Sequence, residues 1–214
     1  MLDTICDVLK AAYMRGWIST RDGNASFRRR DEDYLYITPS GVRKQHLNAE
    51  MMLKLKYTRI NPIEFERVDD DYQRKIIGLY PSGELPLHSM LQAKLPENRV
   101  VLHFHPTYII AAMYAGIDLQ KLANEFPEIN RYTKVGPVVP MLPPISEELA
   151  NASVKALALD PQTGTVKYDI IGLDRHGIIA LGKDAWTVYE HVERLEHICQ
   201  IVLASGDIAD LLRN

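Results

Sequence analysis

Tyr168-Asp169-Ile170-Ile171-Gly172-Leu173-Asp174-Arg175-His176-Gly177-Ile178-Ile179-Ala180-Leu181 reads as two strands folded on a tight turn. Apolar, β-branched runs lie on both sides of Arg175-His176-Gly177, and so short a connection joins antiparallel strands. Upstream, Gly23-Asn24-Ala25-Ser26-Phe27-Arg28 starts a strand that turns in the mixed cluster Arg28-Arg29-Arg30-Asp31-Glu32-Asp33. Tyr34-Leu35-Tyr36-Ile37-Thr38 returns as its hairpin partner and is closed by the turn Pro39-Ser40-Gly41. Further short strands are expected at 52–57 and 63–68. Val100-Val101-Leu102-His103-Phe104-His105 is another strand, stopped by Pro106. Residues 135–142 are strand-like but interrupted by prolines, as in an edge or loop-bounded strand.

Helical spacing appears between and around these runs. Ile5, Leu9, Ala12 and Tyr13 place a helix over 2–15 that stops at Gly16. Helices are also expected over 87–95, ending in Pro96-Glu97-Asn98, and over 109–114, broken at Gly116. Ser146-Glu147-Glu148 starts one with acids in its first turn, where the helix dipole favours them. It runs to about 159 and is stopped by Asp160-Pro161-Gln162-Thr163-Gly164. The last helix starts from Asp184 and aligns Val188, Tyr189, Val192, Leu195, Ile198 and Val202. Hairpins outnumber helical crossovers, so the expectation is one α/β domain over 1–214 with helices flanking a mostly antiparallel sheet.

Composition narrows the function classes. The 214 residues, 46% of them hydrophobic, suffice for one sizeable core. Basic and acidic residues number 25 and 28 and are interspersed, which leaves no footprint for nucleic acid. No run approaches the roughly 20 apolar residues of a membrane helix, and no signal-peptide pattern opens the chain. A cytoplasmic protein is expected. Cys6 and Cys199 lie apart in apolar helical contexts and read as buried thiols.

The chemistry gathers in four places. In His103-Phe104-His105, alternation along a strand turns both imidazoles to one face and Phe104 to the other. Two such histidines are either a hydrogen-bonded strand end or two ligands of one ion, and a catalytic zinc site takes three protein ligands. His176, at the turn between two strands, is the natural third ligand beside that pair. His88, His191 and His197 on helices and His46 near a turn read as structural. Glu84, just ahead of a helix in Pro81-Ser82-Gly83-Glu84-Leu85-Pro86-Leu87-His88, is either a first-turn charge or an acid–base carboxylate. The turns Gly23-Asn24-Ala25-Ser26, Thr38-Pro39-Ser40-Gly41 and Ser82-Gly83 offer N–H groups, hydroxyls and an amide to an anion, although turn chemistry accounts for them equally well. No P-loop or GxGxxG is present.

The order GNxS, TPSG, SxE, HxH and HG ahead of a C-terminal helix resembles the class II, zinc-dependent aldolase and epimerase family over roughly residues 5 to 203. The resemblance implies a three-layer α/β/α domain, a homotetramer with sites at subunit interfaces, and a small sugar-phosphate substrate. It implies zinc, with Mn2+ or Co2+ as other candidates, on His103, His105 and His176. Glu84 takes the place of the catalytic acid–base group. Asn24, Ser40, Gly41, Ser82 and Gly83 take the places that hold the substrate phosphate. Gly83 departs from a second serine found in many members, and Arg21 from a hydroxyl residue. Glu128 and Tyr132 lie in the region from which a neighbouring subunit completes such sites. The Glu-Leu-Pro-x-His string at 84–88 looks closest to the rhamnulose-phosphate branch. The implied reaction is reversible cleavage of a ketose 1-phosphate to dihydroxyacetone phosphate and an aldehyde such as L-lactaldehyde. The family also holds 4-epimerases, a dehydratase, decarboxylases and non-catalytic scaffold domains, and each of these stays open.

Overall fold

In a computed structural model of the chain, residues 1–29, 32–56, 66–95, 99–160 and 162–212 are described. The strands are β1 (Asn24–Arg28), β2 (Tyr34–Ile37), β3 (Leu53–Lys56), β4 (Glu66–Arg67), β5 (Arg99–Phe104), β6 (Ile170–Leu173) and β7 (Gly177–Gly182). They form one sheet in the order β4-β3-β2-β1-β5-β7-β6, with every neighbouring pair antiparallel. The helices are α1 (Leu2–Met14), α2 (Asp71–Lys75), α3 (Leu85–Lys94), α4 (Thr107–Tyr114), α5 (Leu119–Glu125), α6 (Pro127–Tyr132), α7 (Glu147–Ala156) and α8 (Ala185–Ser205).

Alternation along the central strands builds the layers. Val100, Leu102 and Phe104 of β5 are fully buried and join Ile178 and Ala180 of β7 under α1, α4, α5 and α8. Val101 turns the other way and joins Ile179, Leu181, Ile171 and Leu173 beneath α3 and α7. Each such side chain contributes on the order of 2 kcal/mol. The architecture is therefore α/β/α, with its sheet buried on both faces. The outer helices are terminated by local chemistry. Asp184 accepts from the Thr187 N–H at the start of α8, and Gly206 closes its end at φ 75°. Ser146 caps α7 through the Leu149 N–H. No helix of the described residues is long and apolar enough to cross a membrane.

Several expected boundaries shift. Residues 135–142 form no strand. Pro137 and Pro140 interrupt the run, and only two isolated parallel bridges, Val135 with Ile170 and Val139 with Leu173, tie it to β6. His105 lies one residue beyond β5, because its N–H is taken by the Trp17 carbonyl at 2.9 Å instead of a neighbouring strand. Tyr168 and Asp169 precede β6, and α7 ends at Ala156, short of 159. The short helices α2, α5 and α6 had no counterpart in the sequence reading. The expected turn at Arg30-Asp31, the first half of the strand at 63–68, the break at 96–98 and Pro161 of the helix stop lie outside the described residues.

Candidate metal centre

One end of the sheet gathers the polar residues. Asn24 opens β1 opposite His103 near the end of β5, and Phe104 pairs with Ile178 just after the β6–β7 turn. His176 sits in that turn, its N–H bonded to the Leu173 carbonyl at 3.0 Å, with Arg175 before it in the left-handed region at φ 57°. Gly177 is required here by space. A Cβ on it would lie 2.2 Å from the Phe104 carbonyl oxygen and 2.8 Å from the His105 ring. The absence of a side chain is what lets the turn close onto the end of β5.

The three imidazoles converge. One nitrogen of each of His103, His105 and His176 lies within 4.8 Å of the others. Ring centroids are 4.8 Å apart for His103 and His105, 4.7 Å for His103 and His176, and 5.4 Å for His105 and His176. His103 Nδ1 donates to the Ile178 carbonyl at 3.0 Å. That bond fixes its tautomer and leaves Nε2 a lone-pair donor, 2.9 Å from His105 Nε2. Burial holds all three rings below the ordinary histidine range, and their proximity to one another adds to this for His103 and His105. Three neutral imidazoles aimed at one point are a donor set that suits a tetrahedral divalent ion with one position open.

Glu84 stands directly ahead of α3 yet makes no side-chain bond to the helix N-terminus, so it is not a capping charge. Its Oε1 lies 3.9 Å from His176 Nε2, and its Oε2 is buried with no hydrogen-bond partner. Burial pushes its carboxyl above the ordinary carboxylate range, while the Ile145 backbone N–H pulls it back down.

The three polar turns are tied to one another. The Ser82 N–H donates to the Thr38 carbonyl at 3.0 Å, the Ser40 N–H donates to the Tyr80 carbonyl at 2.8 Å, and Pro39 bridges Pro81. Thr38 Oγ1 accepts from the Ala25 N–H beside Asn24 at 3.1 Å. The backbone N–H groups of Ser40 and Ser82, expected to serve an anion, are consumed by this pairing. Asn24 and Ser82 are largely buried, and Ser40 and Gly41 are exposed. Arg21 is also exposed, and its carbonyl accepts from the buried Lys44 ammonium at 3.1 Å.

Three residues that support the site carry no signal in the sequence, and a fourth, His88, carries the structural role expected of it. Glu196 of α8 accepts the N–H groups of Tyr108 and Ile109 at 3.0 and 2.8 Å, which anchors the start of α4 just after His105. Ile145 holds φ at 63°, unusual for a β-branched residue, and its side chain fills the space that a Cβ on Gly83 would enter at 2.9 Å. Lys44 straps the 21–22 and 42–44 segments together, and burial lowers its ammonium to about 8. His88, expected to be structural, is fully buried and bonded to Ser26 and Asn24. The other expected structural histidines divide: His191 is bonded to Thr133, whereas His46 and His197 are exposed. Tyr132 and Glu128 are exposed as well. Cys6 and Cys199 are buried free thiols.

Comparison with known proteins places the chain in a family. The chain is 28% identical over 197 residues to an L-fuculose phosphate aldolase of Methanococcus maripaludis, spanning 92% of this chain and 91% of that protein. It is 26% identical to a 3-oxo-tetronate 4-phosphate decarboxylase of Pectobacterium atrosepticum, spanning 91% and 80%. The fold matches that of an L-fuculose-1-phosphate aldolase from Thermus thermophilus with a TM-score of 0.71 at 22% identity, covering 95% of this chain and 93% of that one. The model of the Class II Aldolase and Adducin N-terminal domain matches residues 3–203, and the chain belongs to that family.

Proposed function

We propose that this protein is a metal-dependent lyase that reversibly cleaves a ketose 1-phosphate to dihydroxyacetone phosphate and an aldehyde of the L-lactaldehyde kind. The observation that carries the reading is the convergence of three neutral imidazoles with a buried, partly unpartnered carboxylate 3.9 Å away. His103, His105 and His176 would hold a divalent ion, zinc by preference with manganese and cobalt as alternatives, and its Lewis acidity would polarise the substrate carbonyl.

The chain's own groups do the rest. When the carbon–carbon bond breaks, the hydroxyl on the aldehyde-forming carbon gives up its proton to solvent and becomes the carbonyl, while the electron pair of the bond stays with the dihydroxyacetone phosphate fragment, which takes up one proton at that carbon. Glu84 is the group assigned to deliver it, and to remove it in the synthetic direction. A carboxyl raised by burial suits both tasks, because it holds and releases a proton nearer neutral pH. Asn24, Ser40, Gly41, Ser82 and Gly83 line the linked turns assigned to the phosphate, where hydroxyl and amide donors meet its oxygens. The same reading makes the working enzyme a cytoplasmic homotetramer.

A second reading, decarboxylation of a sugar-acid phosphate, is favoured by the similarity to the Pectobacterium decarboxylase. Zinc-loaded protein assayed against a panel of ketose 1-phosphates and 3-oxo-acid phosphates decides between them. Release of dihydroxyacetone phosphate is expected. Carbon dioxide release alone establishes the second reading, and no metal-dependent turnover of any panel member removes both.

A further inference from the structure

β1 turns Asn24 and Ser26 to the same face, and α3 lays the fully buried His88 across them. His88 Nε2 lies 2.5 Å from Asn24 Oδ1, and Nδ1 lies 2.7 Å from Ser26 Oγ. A carbonyl oxygen only accepts, so the proton of the neutral ring sits on Nε2 and Nδ1 must accept. The Ser26 hydroxyl then donates to Nδ1. Its own oxygen accepts from Gln92 Nε2 at 3.1 Å, and that amide also donates to the Arg99 carbonyl at 3.0 Å. Every donor in the chain Gln92, Ser26, His88, Asn24 points the same way. Its inner members are almost wholly buried, and it ends at Asn24, opposite His103 on the next strand.

Such a chain has a chemical consequence at its last member. The terminal torsion of an asparagine is broad and roughly two-fold, so a free amide presents its oxygen or its nitrogen with similar ease. With Oδ1 bound to His88, covalent geometry puts the two Nδ2 donors on the far side of the amide. A flipped amide would turn a carbonyl oxygen toward an anion instead.

We infer that His88 is a positioning residue for the substrate, locking the Asn24 amide so that its N–H donors face an anionic oxygen. The inference rests on the reading of Asn24 as a substrate contact. His88 spends both ring nitrogens on Ser26 and Asn24 and is not one of the three clustered imidazoles. Its backbone N–H donates to the Glu84 carbonyl at 3.1 Å, so one turn of α3 carries both the proposed acid–base group and the lock on the anion donor.

A double-mutant cycle on the zinc-loaded protein tests this, read by calorimetric titration with inorganic phosphate. A hydrogen bond to a charged group is commonly worth tenfold or more, so H88L and N24A are each expected to weaken phosphate binding about tenfold. The double variant H88L/N24A is expected to be no weaker than N24A alone. H88Q, whose amide still reaches Asn24 as a donor, is expected to recover most of the affinity, with zinc content unchanged in every variant. It also keeps the test alive if H88L does not fold. Losses that multiply in the double variant overturn the inference. So do loss of zinc from H88L, H88Q binding as poorly as N24A, or wild-type protein that takes no phosphate. Coupled phosphate binding in a protein that cleaves no ketose phosphate would sink the proposed reaction and leave His88 in its role. Cleavage without the coupling would do the reverse.

Discussion

The histidine cluster and the polar turns occupy the same end of the sheet but are held by different means. At the cluster, each ring is fixed by long-range structure: β5 pairing for His103, the Trp17 carbonyl for His105, and close approach at Gly177 for His176. At the turns, the backbone pairs also reach far along the chain, Thr38 to Ser82 and Ser40 to Tyr80, but they consume the N–H groups and leave Ser40 and Gly41 at the surface. The first arrangement brings one nitrogen from each of three rings within 4.8 Å of the others, the convergence that a single ion requires. The second specifies only a neighbourhood of donors, which many anions would satisfy. The cluster is thus built for one ion, whereas the turns fit a class of anions.

The largest way to break the contrast is at the boundary between the two regions. Glu84→Gln keeps the side chain's size and removes its ability to exchange a proton. We expect kcat to fall by about 10²- to 10⁴-fold with zinc content unchanged, measured by initial rates and metal analysis. Unaltered turnover would remove Glu84 from the chemistry and leave it as a buried charge beside His176.

Next comes the packing of the cluster itself. Gly177→Ala puts a methyl 2.2 Å from the Phe104 carbonyl oxygen, and backbone has to move. Overpacking of this kind costs about 1–3 kcal/mol, so a lower unfolding midpoint is expected. His176 shifts with its turn, and zinc affinity measured by competition with a chelator is expected to drop at least about tenfold. Equal affinity would mean that the turn tolerates displacement and that the cluster is looser than its contacts imply.

The smallest effect belongs to the polar turns. Ser40 is exposed and its N–H is already bonded to Tyr80, so only its hydroxyl is available to substrate. Ser40→Ala is expected to raise KM a few-fold and leave kcat near its original value, a loss of about 1 kcal/mol of uniform binding. A fall in kcat with KM constant would instead move this turn to the reacting end.

These differences also explain what could be read in advance. The strand period of two exposes His103 and Phe104 as opposite faces of one strand, and the 168–181 hairpin delivers His176 to the same end. Such signals are local, and they survived folding with shifts of one or two residues at element ends. Residues 135–142 failed because their apolar run competes with two prolines, and backbone donors decided the outcome. The supporting residues were illegible for a different reason. Ser26 and His88 are 62 residues apart, and Ile109 and Glu196 are 87 apart, so their bonds exist only once the layers are stacked. Ile145 carries no sign in the sequence of its left-handed backbone, a conformation that its type disfavours.

The measurement that bears most directly on the metal-dependent reaction is a zinc titration of metal-stripped protein while dihydroxyacetone phosphate release from a ketose 1-phosphate is followed. The rate is expected to rise linearly and break at one zinc per chain, with no such rise for His103→Ala. A rate indifferent to zinc, or an equal rise in the His103→Ala variant, would contradict a metal-dependent reaction at this site.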